Sequence, residues 1–145
     1  MPRYVVLHHQ LSEGQRLRRE SHALEDVSES HFDWMFENDE ALWTWATASH
    51  PLLEQVTRLP AAKLADHRKA YLTKEGPVSN DRGSVTRVEE GEFDIVRCDA
   101  EHYVFAMRGP RRGYAVFQRT RSGENSSELP DPWYVLFCLT LVDAS

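Results

Sequence analysis

The amino-acid sequence predicts a mainly β protein, a small antiparallel β-barrel of eight or nine short strands with little helix. Three observations carry this reading. Runs rich in β-branched and aromatic residues recur along the chain, among them "RYVVLHH", "HFDWMFE", "ALWTWAT", "HYVFAMRG", "GYAVFQRT" and "PWYVLFCL", and such residues suit a pleated, half-buried surface. Between the runs stand clusters of Gly, Pro, Asn and Asp, such as "ENDE", "SNDRGS" and "RGPRRG", which favour turns. Sustained helical periodicity is absent from the apolar positions. At 145 residues the chain is long enough for one domain with a substantial core. Residues 1–145 are therefore read as a single domain with a polar insertion at about 10–30.

Each element follows from its own residues. Residues 3–9 form a strand that ends in two histidines. Residues 11–30, "LSEGQRLRRESHALEDVSES", carry many charges and few large apolar side chains, which predicts an exposed excursion with at most a helical turn at 15–25. Strands at 31–37 and 41–47 flank the polar "ENDE" and predict a hairpin. Pro51 and Pro60 limit residues 50–66 to short helical pieces. Strands are then expected at 69–75, 83–91, 92–98, 102–109, 113–120 and 132–139, with Trp43 and Trp45 contributing to the core.

Composition narrows the function. The net charge of −6 disfavours tight non-specific adhesion to nucleic acid, which depends on lysine and arginine neutralising phosphates. Locally the balance differs, since six arginines between Arg97 and Arg121 face only Asp99 and Glu101. That stretch is either a solvated hairpin tip or an anion-facing loop. The start "MPRYVVLHHQ" lacks the pattern of a signal peptide, and the longest apolar run falls short of the roughly 20 residues of a membrane span. A soluble cytoplasmic protein without membrane association is expected. Cys98 and Cys138 stand alone, without C-x-x-C spacing, and are read as reduced thiols, not zinc ligands.

The stretch "HFDWMFE" carries the chemistry. Side chains alternate along a strand, so Phe32, Trp34 and Phe36 share the packed face while His31, Asp33, Met35 and Glu37 share the other. There an imidazole and a carboxylate can converge on one cation, with "HH" at 8 and 9 as the natural donor of a third ligand. Two imidazoles and one carboxylate suit Mn²⁺, Zn²⁺ or Fe²⁺ with positions left for substrate. The same alternation also arises on any strand with a polar outer face.

In this order, "YVVLHH", "HFDWMFE", "ALWTWA" and "DHRKAYLTKEGPVSNDRGSV" resemble the 3′-phosphoesterase domain of bacterial and archaeal DNA ligase D, and in particular small free-standing relatives of it. The resemblance covers most of the chain outside about residues 10–30. It implies a manganese ion held by His9, His31 and Asp33, with another divalent transition metal such as Zn²⁺ as the alternative. It further implies that His67 and Tyr71 contact the scissile phosphate and that Glu37 is a carboxylate important to the site, orienting a ligand or an arginine. DNA or RNA–DNA 3′ ends are the implied substrates, and a ligase or polymerase of end joining an implied partner.

Two departures bear on the site. Residues 10–30 separate histidines that lie close together in ligase-linked members, which makes His8 and His22 rivals of His9. Met35 stands where those members have a phosphate-binding arginine, leaving Arg58, Arg68, Arg82 or an arginine of "RGPRRG" to replace it. The implied activity is metal-dependent removal of a 3′-ribonucleotide and a 3′-phosphate. The alternative is a catalytically weak barrel that binds DNA ends, phosphorylated ligands or a repair partner.

Overall fold

The computed structural model describes residues 2–10, 30–73, 76–77, 84–120 and 133–140. Its strands are β1 (Arg3–Gln10), β2 (Ser30–Glu37), β3 (Leu42–Thr47), β4 (Thr57–His67), β5 (Gly76–Pro77), β6 (Ser84–Asp99), β7 (His102–Arg108), β8 (Tyr114–Arg119) and β9 (Trp133–Cys138), with one 3₁₀ turn at Lys69–Leu72. All pairings are antiparallel, in the order β1-β2-β3-β4-β9-β8-β7-β6, and β6 returns to β1 to close a ring of eight strands. The short β5 lies against the start of β6. No helix among the described residues is long and apolar enough to cross a membrane.

Alternation sorts the side chains into two layers. Tyr4, Val6, Trp34, Phe36, Trp45, Phe93, Phe105, Phe117 and Phe137 point inward and fill the ring. The closest aromatic contacts are Trp45 on Phe117 at 4.1 Å and Phe36 on Phe105 at 4.2 Å. Both are stacked, and such pairs contribute roughly 0.5–1.5 kcal/mol beyond the area they bury. Trp43 packs at the edge of the same core. On the outer wall Val5, Leu7, Met35, Leu42 and Val85 form a second apolar patch, which Leu72 of the 3₁₀ turn covers. That outer patch is what positions the site.

Closure requires one strand to bend. The 16-residue β6 pairs with β1 through its first half and with β7 through its second. At the crossing, a Cβ on Gly91 would lie 2.9 Å from the Arg108 carbonyl oxygen and 3.0 Å from the Tyr4 ring, so glycine alone lets the strands approach. A register shift lies between Val6, which opposes Glu89, and Leu7, which opposes Arg87. Residues two apart normally share a face, but the extra residue, Val88, turns Glu89 inward and leaves Arg87 outward.

Three expected elements differ. Residues 57–67 form a strand, not short helical pieces: Pro60 opposes Tyr134 of β9, and β3 takes over as the other partner only from Ala62. Proline is tolerated where a strand is paired on one side. Residues 69–72, expected as a strand, form the 3₁₀ turn. The runs at 83–91 and 92–98 join into the continuous β6. Of the expected excursion at 11–30, residues 11–29 lie outside the described residues and Ser30 opens β2.

Inside the ring sits one charged group and its partners. Glu89 accepts bonds from the Tyr4 hydroxyl, from His50 Nε2 at 2.8 Å and from Arg111 Nε and Nη2 at 3.0 and 2.9 Å. Arg111 also donates to the carbonyls of Pro51 and Leu52 and lies over the Phe137 ring. Burial alone would raise the Glu89 carboxyl pKa; the bonds from His50, Arg111 and Tyr4, with the Arg111 charge, outweigh burial and hold it down to about 2 against an ordinary 4.5.

A carboxyl depressed on folding lends stability that is complete above its unfolded pKa and is lost as pH falls through the folded one. Here that window runs from 4.5 down to about 2, and the effect at neutral pH is roughly 3 kcal/mol. Glu89→Gln leaves Arg111 buried without its counter-charge, which costs about 3–5 kcal/mol at pH 7. The deficit should shrink across that window, a change that urea unfolding at a series of pH values will measure.

Candidate metal centre and active site

Strand register assembles the site. In the β1–β2 pair His9 stands directly opposite His31 and Leu7 opposite Asp33. Since Tyr4 and Val6 point inward, Leu7 and His9 point outward, and so do their partners. His31 Nε2 lies 3.0 Å from Asp33 Oδ1, and His9 Nδ1 lies 3.6 Å from Asp33 Oδ2. One ligand atom from each of the three residues falls within 4.8 Å of the others, the one such group of His, Cys, Asp or Glu found among the described residues. His8 is excluded, because its ring stacks on Phe32 at 4.5 Å on the opposite face. His22 lies outside the described residues.

The group fits a cation on the structure's own terms. Asp33 Oδ1 and His31 Nδ1 are buried and lack any hydrogen-bond partner, a state that costs about 1–3 kcal/mol per group. The 3.0 Å contact to His31 is close, yet it does not have hydrogen-bond geometry. Two ligands bound in adjacent positions at about 2.1 Å from one ion stand about 3 Å apart. Burial would raise the Asp33 pKa, but the charge and proximity of His31, then His9, and the charge of His67 hold it well below the usual carboxylate range. An ionised carboxylate with two imidazoles is a donor set for Mn²⁺, Zn²⁺ or Fe²⁺. Three protein ligands leave positions for water and substrate.

Around this triad the expected residues fall in different places. His67 ends β4 opposite Leu42, with its ring edge-on to Tyr71 at 5.3 Å. Its Nδ1 lies 3.0 Å from the Ala65 carbonyl; a carbonyl only accepts, so Nδ1 carries the hydrogen and Nε2 is left to exchange protons. Tyr71 packs onto the outer apolar patch beside Leu72. Met35 is 1% exposed within that patch, so the strand position under the 3₁₀ turn is an apolar seat and not a phosphate contact.

Glu37 does not reach the triad. It lies at the far end of β2 from His31, where it accepts from the Arg3 backbone amide at 2.9 Å and pairs with Lys69 at 3.7 Å. Through Lys69 it is tied to the start of the 3₁₀ turn. Arg58 sits near the start of β4, on the Tyr134 ring at 3.8 Å. The eleven residues of β4 span roughly 35 Å, so Arg58 is remote from His67 and is not a phosphate ligand of this site. Arg82 lies outside the described residues. Of the "RGPRRG" arginines, Arg111 is buried on Glu89, which removes the anion-facing reading for it, and the exposed Arg108 pairs with Asp94.

Two residues of the site region went unnoticed in the sequence, Lys69 and Arg87. Arg87 Nη1 donates to the Leu72 carbonyl at 3.1 Å and its Nε pairs with Glu90 at 2.7 Å. Nothing in sequence spacing marks either one, since both depend on where the 3₁₀ turn lands.

The class these features define is an eight-stranded antiparallel β-barrel that carries on its outer wall two histidines and an aspartate able to hold a cation, with His67 and Tyr71 on the same side. The particular family follows from comparison: the model of the DNA ligase D 3′-phosphoesterase domain matches residues 21–120, and the chain belongs to that family. The match takes in His31, Asp33, Glu37, His67 and Tyr71 and begins after His9, which the strand register sets opposite His31. No curated protein matches the chain.

Two outcomes are expected. The protein should bind about one Mn²⁺ by calorimetry, and Asp33→Asn or His31→Ala should abolish it. Saturating metal at about 100 times Kd should stabilise the wild type by about 2.7 kcal/mol and leave the variants unmoved. Second, Gln10 and Ser30 are direct cross-strand partners, so a two-residue Asn-Gly turn can join them. A chain with residues 11–29 so replaced should keep its metal affinity within about threefold; loss of binding with the fold intact would make His22 a ligand.

Proposed function

We propose that the protein is a divalent-metal phosphoesterase, with Mn²⁺ the favoured ion, that processes nucleic-acid 3′ ends in DNA end repair, removing a terminal 3′-ribonucleotide and a 3′-phosphate. The single observation that supports this most is the buried, unpartnered Asp33 oxygen between two outward-facing histidines, in a chain of the 3′-phosphoesterase family. His9, His31 and Asp33 would hold the ion, which would supply Lewis acidity toward a phosphoryl oxygen and a water molecule. His67, its Nδ1 hydrogen directed to the Ala65 carbonyl, presents Nε2 to the departing oxygen and protonates it. Tyr71, edge-on to His67, limits the ring's rotation and offers its hydroxyl to the phosphate.

The substrates in this reading are DNA or RNA–DNA 3′ ends, in the cytoplasm, with a ligase or polymerase of end joining as the acceptor of the repaired end. A second reading, a catalytically weak barrel that binds DNA ends or phosphorylated ligands, is favoured by one observation: Met35 is sealed into an apolar patch.

With Mn²⁺ present, a duplex whose primer ends in one 3′-ribonucleotide or in a 3′-phosphate should be trimmed. His67→Ala should slow this by about 10²–10⁴-fold while metal binding persists. A wild type that binds metal and trims neither end would leave only the binding module. Met35→Arg forces a guanidinium into the covered patch, so it should destabilise the protein by about 3 kcal/mol or more and fail to raise activity, which thermal unfolding beside the same assay will check.

A further inference from the structure

Phosphoryl transfer places negative charge on non-bridging oxygens, and a preorganised cation facing them is usually a large catalytic term. Met35 supplies none, Arg58 stands at the other end of β4, and Arg111 is buried on Glu89. Arg87 is placed differently. It opposes Leu7 on β1, and Leu7 opposes Asp33 on β2, so Arg87 and Asp33 occupy one row on one face, roughly 10 Å apart at Cα. On the same face and strand, Val85 opposes His9.

The bulge at Val88 is what makes this possible, because it frees Arg87 to face outward while Glu89 faces in. The guanidinium is then fixed at the end of the 3₁₀ turn by its bond to the Leu72 carbonyl, next along the chain from Tyr71. Its Nε also pairs with an anion, the carboxylate of Glu90, a side chain half exposed to solvent. Guanidinium groups bind carboxylate and phosphate with the same fork of donors.

We propose that Arg87 is the phosphate-contacting arginine of this site, and that Glu90 holds its guanidinium in place until a phosphate takes over that contact. The proposal rests on the phosphoesterase reading above and specifies which cation serves it. Since Arg87 is not one of the three metal ligands, its removal alters phosphate affinity and leaves metal affinity unchanged within about threefold.

The test is calorimetric titration of inorganic phosphate, the expected product, into the full-length Mn²⁺-loaded protein, with metal affinity and thermal stability recorded for every variant. Arg87→Gln keeps a donor for the Leu72 carbonyl but loses the charge, and should weaken phosphate binding about tenfold to hundredfold. Arg87→Lys keeps the charge and should recover part of that loss. Glu90→Gln removes the competing carboxylate and should bind phosphate more tightly than wild type. Phosphate binding within twofold of wild type in Arg87→Gln, or equal losses in Arg87→Gln and Arg87→Lys, would overturn the proposal while leaving the phosphoesterase reading intact. A wild type that takes up Mn²⁺ but binds no phosphate would overturn both.

Discussion

The register between β1 and β2 is the constraint on which the rest of the structure depends. With His9 opposite His31 and Leu7 opposite Asp33, three donors meet on the outer wall and Tyr4, Val6, Trp34 and Phe36 meet in the core. A slip of one residue exchanges the two faces, sending aromatic rings to solvent and a carboxylate into the ring. The hydrophobic drive that fills the barrel therefore also holds the cation site together. Each buried aromatic side chain contributes on the order of 1.5–3 kcal/mol, enough to hold His31 Nδ1 and Asp33 Oδ1 buried without hydrogen-bond partners.

A second wall of the site is built by an irregularity. At the bulge between β1 and β6, Glu89 turns in and Arg87 turns out, although two residues of one strand so spaced normally share a face. Inside, Glu89 gathers Tyr4, His50 and Arg111 into a network that joins β1, β6 and the loops at 50–52 and 109–113. Outside, Arg87 binds the end of the 3₁₀ turn, and Lys69 binds the start of that turn to Glu37. Tyr71, between the two anchors, is thereby held over the apolar patch. Glu37 is thus joined to the segment that carries Tyr71 and lies at the far end of β2 from His31.

Much of this was legible in the sequence where local pattern suffices. The outward set His31, Asp33, Met35, Glu37 follows from alternation, and seven of the ring strands follow from their β-branched and aromatic runs. The strand at 57–67 did not, because Pro60 argues against a strand unless it is known that β4 changes partner there. Non-local facts were invisible in principle. Nothing in the text says that β1 pairs with β2 across residues 11–29, or that β6 bends at Gly91 to pair twice. Hence the burial of Arg111 on Glu89 could not be read, and Arg58 was set near a site from which the length of β4 separates it. His9 was reached by resemblance, and its placement opposite His31 now supplies the physical reason.

The central claim is that one ion is held by two imidazoles and a carboxylate in this register. Pulsed electron paramagnetic resonance of the Mn²⁺-loaded protein, with its histidines labelled with ¹⁵N, tests it most directly by counting directly bound imidazole nitrogens. Two coupled nitrogens in the wild type, falling to one in His9→Ala, are predicted. A single nitrogen in the wild type, or a count that His9→Ala leaves unchanged, would contradict the account.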